Sequence, residues 1–288
     1  MRYIGSHAAS GVSGYSGLRS GDRVIGRSGD LKNRVALADM LALAAAGLLL
    51  LIFFVQHGMG QHFYAAVGIT IAFAVVGRLA RGVDTSGALA GGAVAFILAS
   101  RDLKLFWVLL AVFLVTLAAT RLGRARKEGL RVAEAEIGRS ASQVMSNLSI
   151  AAAVLVPTAL PFAALLSLAA LAEVAADTTS SELGTAYPGR TVLVTTWKSV
   201  PPGIDGGISV VGTISGAVAA SIIAACAAIL GLTSISGAVV IACAGALGMM
   251  ADSVLGAAFE RRGDLNNNTV SLLSTAAAVG IAWMMRSN

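Results

Sequence analysis

Charged residues are scarce in this chain: Asp, Glu, Lys and Arg together make up only 12% of its 288 residues. A soluble globular domain carries about 25%, so the composition excludes an ordinary soluble protein. Hydrophobic residues account for 56% of the chain, the mean hydropathy is +0.80, and the apolar residues fall into long runs. A helix needs about 20 such residues to cross the hydrocarbon core of a bilayer. The sequence therefore predicts a polytopic membrane protein of the all-α class.

Residues that commonly bind zinc or act in catalytic triads are also few, with only three histidines and two cysteines. Cys226 and Cys243 lie inside apolar runs without a CxxC spacing, a pattern typical of buried free thiols. The histidines lie away from the acidic residues, so zinc sites and His-based triads are not supported. No Gly-Lys dipeptide occurs, and this absence excludes a Walker A phosphate loop. Any phosphate chemistry must use another kind of site.

The apolar runs predict about nine transmembrane helices in a single membrane domain, residues 35–288. A disordered tail rich in Ser, Gly and Arg, residues 1–34, is expected before it. Aromatic residues make up only 6% of the chain and glycines number 33, so we expect helices that pack closely through small residues. The third run is short enough that it need not cross the bilayer fully. The predicted spans are Val35–Val55, Phe63–Leu79, Gly87–Ser100, Leu105–Thr120, Asn147–Leu160, Phe162–Thr179, Ile208–Leu230, Ile235–Phe259 and Thr269–Met285.

The distribution of basic residues predicts the orientation of these helices. With the N-terminus inside, 18 of the 21 lysines and arginines fall on the cytoplasmic side, as the positive-inside rule requires. The same rule accounts for the net charge of +6 without nucleic-acid binding. The basic segment Arg121–Ser142 is expected to be a solvated helix on this side, with arginines available to lipid headgroups. We expect a multi-pass membrane protein whose active site faces the cytoplasm.

Polar residues are concentrated in the stretch Leu171–Thr213. Glu173 and Asp177 are four residues apart and share a helix face, and Asp252 lies near the same end of a later span. Carboxylates in membrane helices are costly and are functional candidates by default. A set of oxygen ligands without His or Cys suits Mg²⁺. We therefore expect Asp177, Glu182 and Asp252 to bind magnesium; the alternative is that these acids only cap helix ends.

A glycine-rich turn precedes the seventh span, at Pro201–Ser209. Glycines permit close backbone approach, and the N-terminus of the following helix offers unpaired N–H groups to an anion. Gly206, Gly207 and Ser209 are thus candidates to hold phosphate, with Lys198 as a nearby positive charge. An ordinary turn and a positive-inside lysine are the alternatives. Asn268 is a candidate N-cap for the last helix.

Five motifs occur in order along the chain: Arg139, Gln143 and Asn147; ADTTSSELG (176–184); VPPGIDGGISVVGT (200–213); GALGMMADSVLGAAFE (245–260); and DLNNNTVS (264–271). Together they resemble the integral membrane family typified by plant phytyl-phosphate kinase, whose animal member is known as transmembrane protein 19. The resemblance covers residues 84–288. Thr179 stands where the family usually has Trp, and Ser271 stands where Asn is common, so the length of the isoprenoid chain is left open.

The resemblance implies a kinase that transfers a phosphoryl group from a nucleoside triphosphate, CTP or ATP, to an isoprenoid monophosphate, giving the diphosphate. Its implied partners are the lipid bilayer, the isoprenoid phosphate and the nucleotide, with no nucleic acid. Catalytic and metal roles fall on Asp177, Glu182 and Asp252. Substrate contacts fall on Asn147, Lys198, Asp205, Gly206, Gly207, Ser209, Thr213, Asn267 and Asn268. The alternatives are a transporter or flippase for an anionic solute or lipid phosphate, and a non-catalytic scaffold.

Overall fold

A computed structural model describes residues 20–60, 63–122, 124, 138–187 and 189–287, without the side chains of residues 20–32, 34 and 287. Two units make up the chain, residues 1–38 and 39–288. Over the described ranges the chain forms nine α-helices and one pair of short strands, which confirms the all-α membrane class. The elements are α1 Ser20–His57, α2 Phe63–Leu79, α3 Thr85–Arg101, α4 Leu103–Arg121, α5 Ala141–Ala153, α6 Ala163–Ala186, β1 Thr191–Leu193, β2 Gly207–Ser209, α7 Val210–Ile229, α8 Ile235–Ala258 and α9 Asn267–Ser287.

Six helices within the described ranges are long and apolar enough to cross a membrane. The candidate spans are Val35–His57, Leu103–Arg121, Ala163–Ala186, Val210–Ile229, Ile235–Arg262, which joins α8 to the short 3-10 turn after it, and Asn267–Arg286. Helix α2, with 17 residues, is apolar but shorter, and α3 is equally short. The first helix begins at Ser20 rather than at Val35. The predicted disorder of residues 20–34 is therefore wrong, because they are helical. Residues 1–19 and most of the basic segment 121–142 lie outside the described residues, so the rest of the predicted tail and the solvated helix stay predictions.

The predicted fifth span, Asn147–Leu160, is wrong in both of its limits. Helix α5 begins at Ala141, after a capping box in which Ser140 N donates to Gln143 Oε1 at 3.0 Å. It ends at Ala153, and the segment before α6 carries Pro157 and Pro161, which cannot supply helical N–H donors. Because 13 residues extend only about 20 Å as a helix, α5 is too short to cross the bilayer. Its first residues were assigned instead to the end of the solvated basic segment 121–142.

Helix α6 is the central helix of the bundle, and α4, α5, α7, α8 and α9 all pack against it. Its alanines are completely buried at positions 169, 170, 172, 175 and 176. Neighbouring glycines allow the close approach: a Cβ on Gly245 of α8 would lie 2.9 Å from Ala172, and one on Gly216 of α7 would lie 2.8 Å from the Ala176 carbonyl oxygen. Small residues therefore place the backbones of α7 and α8 against α6, as expected for helices in lipid.

Cysteines do not contribute to this packing. Both are free thiols, but Cys243 is exposed and Cys226 is half-buried. The expectation that they are buried is therefore wrong. An apolar run in a membrane helix has outward-facing as well as inward-facing positions, and hydropathy does not distinguish them.

The polar stretch between α6 and α7 folds into a small antiparallel hairpin that an all-helical prediction omits. Thr191 pairs with Ser209 and Leu193 with Gly207. Gly206 adopts a positive φ of 73°, and a Cβ there would lie 2.4 Å from the Cβ of Ala257 in α8. Glycine at this position therefore serves two needs, because the turn requires a left-handed backbone and the hairpin packs directly on the end of α8.

Helix α1 supplies a cap for another helix through Asp39. The Asp39 Oδ1 atom accepts from the Ser140 hydroxyl at 2.8 Å and from the Ser142 backbone N–H at 2.9 Å. These donors belong to the first turn of α5, whose leading N–H groups have no partner within the helix. Asp39 thereby joins α1 to the turn that carries Arg139.

We expect Asp39→Ala to destabilise the protein by about 1–2 kcal/mol, the usual cost of removing a helix cap. The reason is that both donors lose their acceptor. Thermal unfolding in detergent should show a melting temperature lower by roughly 2–8 °C, using the usual conversion for a chain of this size. Asp39→Asn keeps the accepting Oδ1 atom and should lose less. Equal melting temperatures for Asp39→Ala and the unchanged protein would contradict the capping role.

Candidate functional site

An acidic side chain is buried at the centre of the bundle, where α6, α8 and α9 meet. Glu173 is only 1% exposed, and both of its carboxylate oxygens accept hydrogen bonds from α9. Ser274 Oγ donates to Oε1 at 2.7 Å, and Thr275 Oγ1 donates to Oε2 at 2.8 Å. Sequence reasoning did not select these two hydroxyl residues. The available signal was two adjacent hydroxyl side chains in an otherwise apolar helix, which is weak because such residues also bond their own backbone.

Helix α8 packs against Glu173 at a glycine, Gly248. A Cβ on Gly248 would lie 2.6 Å from Glu173 Cγ and 2.7 Å from the Cβ of Ala278 in α9. Any larger residue would therefore push α8 away from both neighbours. One turn further along α8, on the same face, is Asp252.

Asp177 and Asp252 come from different helices and interact with each other electrostatically. Asp252 also interacts with Glu173 and with Asp205 and Glu260. Its Oδ2 atom is buried and makes no hydrogen bond within the described part of the chain. The structure thus brings these two predicted site residues together, and it adds Glu173 and Glu260 to their surroundings.

Glu182 occupies a different face of α6. It follows Asp177 by five residues, which separates the two by about 140° around the helix axis, whereas it shares a stripe with Thr178. Glu182 is buried. In the part of the chain that is described, no three Asp, Glu, His or Cys side chains are placed to hold one metal ion. Ligation by Asp177, Glu182 and Asp252 as a set therefore stays a prediction that the geometry does not support.

The glycine-rich turn has structural tasks of its own. Gly207 N donates to the Ile204 carbonyl oxygen at 2.8 Å, and Ser209 Oγ caps α7 by accepting from Gly212 N at 3.1 Å. Asp205 is exposed and interacts electrostatically with Asp252 and Glu260. The turn therefore lies beside the acids, and phosphate binding by its backbone stays a prediction.

Four other predicted substrate residues lie on the hairpin or at the start of α7 and α9. Lys198 is exposed in the hairpin, and Thr213 is half-buried in the first turn of α7. Asn267 and Asn268 begin α9 and are exposed and half-buried respectively. The cap of α9 is Asn266, whose Oδ1 accepts from Thr269 N at 2.9 Å. The prediction that Asn268 forms the cap is wrong, because Asn268 already lies within the first helical turn.

A cavity of about 330 Å³ lies between α2, α3, α4 and α5. Its walls are mainly apolar and include Phe73, Leu109 and Val174. Among the predicted substrate residues, Asn147 alone is part of this described lining. Four arginines also line it, on the segments that end α2 and α4 and precede α5: Arg81, Arg121, Arg124 and Arg139.

Arg139 connects this cavity with the acids of α6. Its Nη2 atom donates to Thr178 Oγ1 at 3.4 Å, and its guanidinium interacts electrostatically with Asp177. An arginine between an apolar cavity and the half-buried carboxylates Asp177 and Asp252 provides positive charge where anionic groups could meet. Sequence reasoning noted Arg139 in a motif and among the arginines available to lipid headgroups, but did not place it beside the acids.

Apolar helices that enclose hydrogen-bonded acids and an arginine-lined cavity define a multi-pass integral membrane protein with a polar site inside its bundle. The chain belongs to the integral membrane protein family DUF92, whose profile matches residues 68–286. Helix α1, with Asp39, lies outside the matched part.

Three relatives extend this assignment. The chain is 29% identical over 215 residues to an uncharacterised membrane protein of Methanocaldococcus jannaschii, covering 74% of this chain and 89% of that protein. It is 32% identical over 189 residues to an uncharacterised membrane protein of Synechocystis, covering 61% and 73%. Protein VTE6, chloroplastic, of Arabidopsis thaliana is 29% identical over 193 residues, covering 63% of this chain and 58% of the plant protein. No solved structure matches the chain.

Proposed function

We propose that the protein is a membrane-embedded prenyl-phosphate kinase, which transfers a phosphoryl group from a nucleoside triphosphate to an isoprenoid monophosphate. The observation that carries the proposal is the juxtaposition of Asp177 and Asp252 with Arg139. Such a site offers a positive group that can bind phosphate and negative groups that can bind a metal ion. The motif resemblance to the phytyl-phosphate kinase family and the relationship to VTE6 support the same reaction class.

The reaction needs no general base. An oxygen of the dianionic prenyl phosphate attacks the γ-phosphorus, a new P–O bond forms, and the bond from that phosphorus to the β–γ bridging oxygen breaks. The products are the prenyl diphosphate and a nucleoside diphosphate, and no net proton is exchanged when all phosphates are ionised. Catalysis then consists of positioning and of neutralising the charge on the phosphates. A site without histidine is sufficient for this chemistry.

Magnesium fits part of the site. The donors are all carboxylate oxygens, and Asp252 Oδ2 is buried without a hydrogen-bond partner among the described residues. Mg²⁺ commonly takes one or two protein carboxylates and completes its coordination with water and substrate phosphates, so Asp177 and Asp252 would hold it. The ion would neutralise charge on the transferred phosphate. Arg139 would orient the acceptor phosphate beside these acids.

The nucleotide is proposed to bind at the end of the site formed by the hairpin and the start of α9. Lys198, Asp205 and Thr213 lie on the hairpin and the helix it leads into, and Asn267 and Asn268 open α9. Between Asp205 and Thr213 in the chain, Gly206 packs against Ala257 of α8, the helix that carries Asp252. Because basic residues predict this side to be cytoplasmic, the nucleotide would enter from the cytoplasm.

The test is a phosphoryl-transfer assay on the purified protein in detergent. The protein is given ATP or CTP with farnesyl or phytyl phosphate, with magnesium or with a chelator, and the prenyl diphosphate is detected by mass spectrometry. We expect product with at least one nucleotide and only when magnesium is present. Turnover in detergent, where no second compartment exists, argues against the transporter alternative. Absence of product from every combination would contradict the kinase assignment.

A further inference from the structure

We infer that the cavity between α2, α3, α4 and α5 is the acceptor site, and that it binds a single-chain lipid with a monophosphate headgroup. The chain would lie among the apolar walls and the phosphate at the arginines. That this lipid is phosphorylated rests on the proposed function, whereas its binding in the cavity does not. The inference separates the site into two parts, with the acceptor on one side of α6 and the nucleotide on the other.

The interior of the cavity suits a hydrocarbon chain. Phe73, Leu109, Val112, Phe113 and Leu148 line it, and an apolar cavity of this kind excludes water but accepts apolar ligands. Glycines form much of the opposing wall. A Cβ on Gly91 would meet only Val144 Cγ1, at 3.7 Å, so the space in front of Gly91 results from the missing side chain. A larger side chain at position 91 would therefore extend into the cavity.

The mouth of the cavity suits an anion. Four of the residues that line the described cavity are arginines and none is acidic. Arg121 keeps its place by donating from Nη2 to the Ala80 carbonyl oxygen at 2.6 Å, and Arg139 is half-buried. Guanidinium groups match phosphate oxygens in pairs and remain charged in an apolar environment. A neutral prenyl alcohol would bring no negative charge to these guanidinium groups.

The dimensions of the cavity favour one chain over two. Along α4 the lining runs from Leu109 to Arg121, which is about 18 Å at 1.5 Å per residue. The volume of about 330 Å³ is near the lower end of the range for pockets that hold one small molecule, roughly 300–1,000 Å³. Such a long and narrow space accommodates one extended chain but not both acyl chains of a phospholipid.

Arg139 places the bound headgroup next to the acids. It lines the cavity and also donates to Thr178 and interacts with Asp177 on α6. A phosphate held by this guanidinium would therefore lie at the boundary between the cavity and the carboxylates. The chain itself would remain on the far side of Val174, away from the nucleotide.

Binding of farnesyl phosphate without nucleotide tests this inference. The purified full-length protein in detergent is titrated with farnesyl phosphate, farnesol, inorganic phosphate and a two-chain phosphatidic acid, and affinity is measured by native mass spectrometry. We expect farnesyl phosphate to bind at least tenfold more tightly than each of the others. Gly91→Leu fills the cavity and should weaken binding of farnesyl phosphate at least tenfold. Gly68→Leu is the matched control, because a Cβ at Gly68 in α2 meets no atom within 4 Å.

Arginine substitutions test the mouth separately. The double variant Arg81→Gln, Arg124→Gln should lose the preference for farnesyl phosphate over farnesol while keeping the affinity for farnesol.

If Gly91→Leu misfolds, Gly91→Ala provides a smaller step. We then expect a measurable loss of affinity for phytyl phosphate and little loss for the shorter geranyl phosphate.

Three results would overturn the inference: unchanged affinity in folded Gly91→Leu, tighter binding of phosphatidic acid than of farnesyl phosphate, or equal binding of farnesol and farnesyl phosphate. Binding with the expected pattern but no turnover would instead contradict the proposed function and leave the acceptor site standing. If Gly91→Leu left turnover unchanged, the proposed function would stand and the acceptor-site inference would be contradicted.

Discussion

Replacing Asp252 by Asn is expected to lower prenyl-phosphate kinase turnover by about 10³-fold, a typical loss when a preorganised charged group is removed from an active site. The substitution keeps the shape of the side chain but removes the negative charge that would hold magnesium against the substrate phosphates. Asp177→Asn should have a similar effect, because Asp177 and Asp252 interact electrostatically and are proposed to hold the same ion. The double variant should be little worse than either single one, since residues that act as a unit are not additive.

The experiment compares kcat and KM at several magnesium concentrations. Asp264→Asn is the control, because Asp264 is an exposed carboxylate beyond the end of α8; it should retain full activity. A structural defect is recognised by a lowered melting temperature, which the Asn variants should not show. If Asp252→Asn and Asp177→Asn both retained turnover within twofold of the unchanged protein, the acids would not be part of the catalytic site.

The membrane class and most helices could be predicted because apolar runs of membrane length have few alternative structures. Helix α5 was misplaced because its first turn is polar: Ser140, which forms a capping box with Gln143, was assigned to the end of the solvated basic segment rather than to the start of the next helix. The hairpin was missed because strands of three residues are too short for an alternating pattern to be seen.

The proximity of Asp177 and Asp252 was foreseeable, since both are carboxylates near the same end of their helices. Their hydrogen-bonding environment was not. The role of Ser274 and Thr275 as donors to Glu173 can be recognised only when the rotation of α9 about its axis is known. Hydropathy does not determine that rotation. The cavity could not be predicted for a different reason: the open space in front of Gly91 comes from an absent side chain, and Gly91 looks like an ordinary packing glycine in the sequence.

The second large effect is expected at Glu173, and it concerns stability. Glu173→Ala removes the acceptor for Ser274 and Thr275 and leaves a void between α6, α8 and α9. Hydrogen bonds between membrane helices contribute about 0.6 kcal/mol each on average, so two of them account for about 1 kcal/mol. The void adds about 2–3 kcal/mol, at the low end for large-to-small core substitutions. The sum, about 3–4 kcal/mol, corresponds to a melting temperature lower by roughly 6–16 °C.

Glu173→Gln separates the hydrogen bonds from the charge. Both hydroxyls also lie within reach of the Ser271 carbonyl oxygen, at 3.0 Å from Ser274 Oγ and 2.8 Å from Thr275 Oγ1. One hydroxyl can therefore turn its proton to that carbonyl and accept from the new amide, so the variant should melt within a few degrees of the unchanged protein. A melting temperature as low as that of Glu173→Ala would show instead that the carboxylate charge, and not the shape and hydrogen bonding of the side chain, holds the three helices together. Glu173 would then belong with Asp177 and Asp252 as part of one charged site rather than as the structural link beneath it.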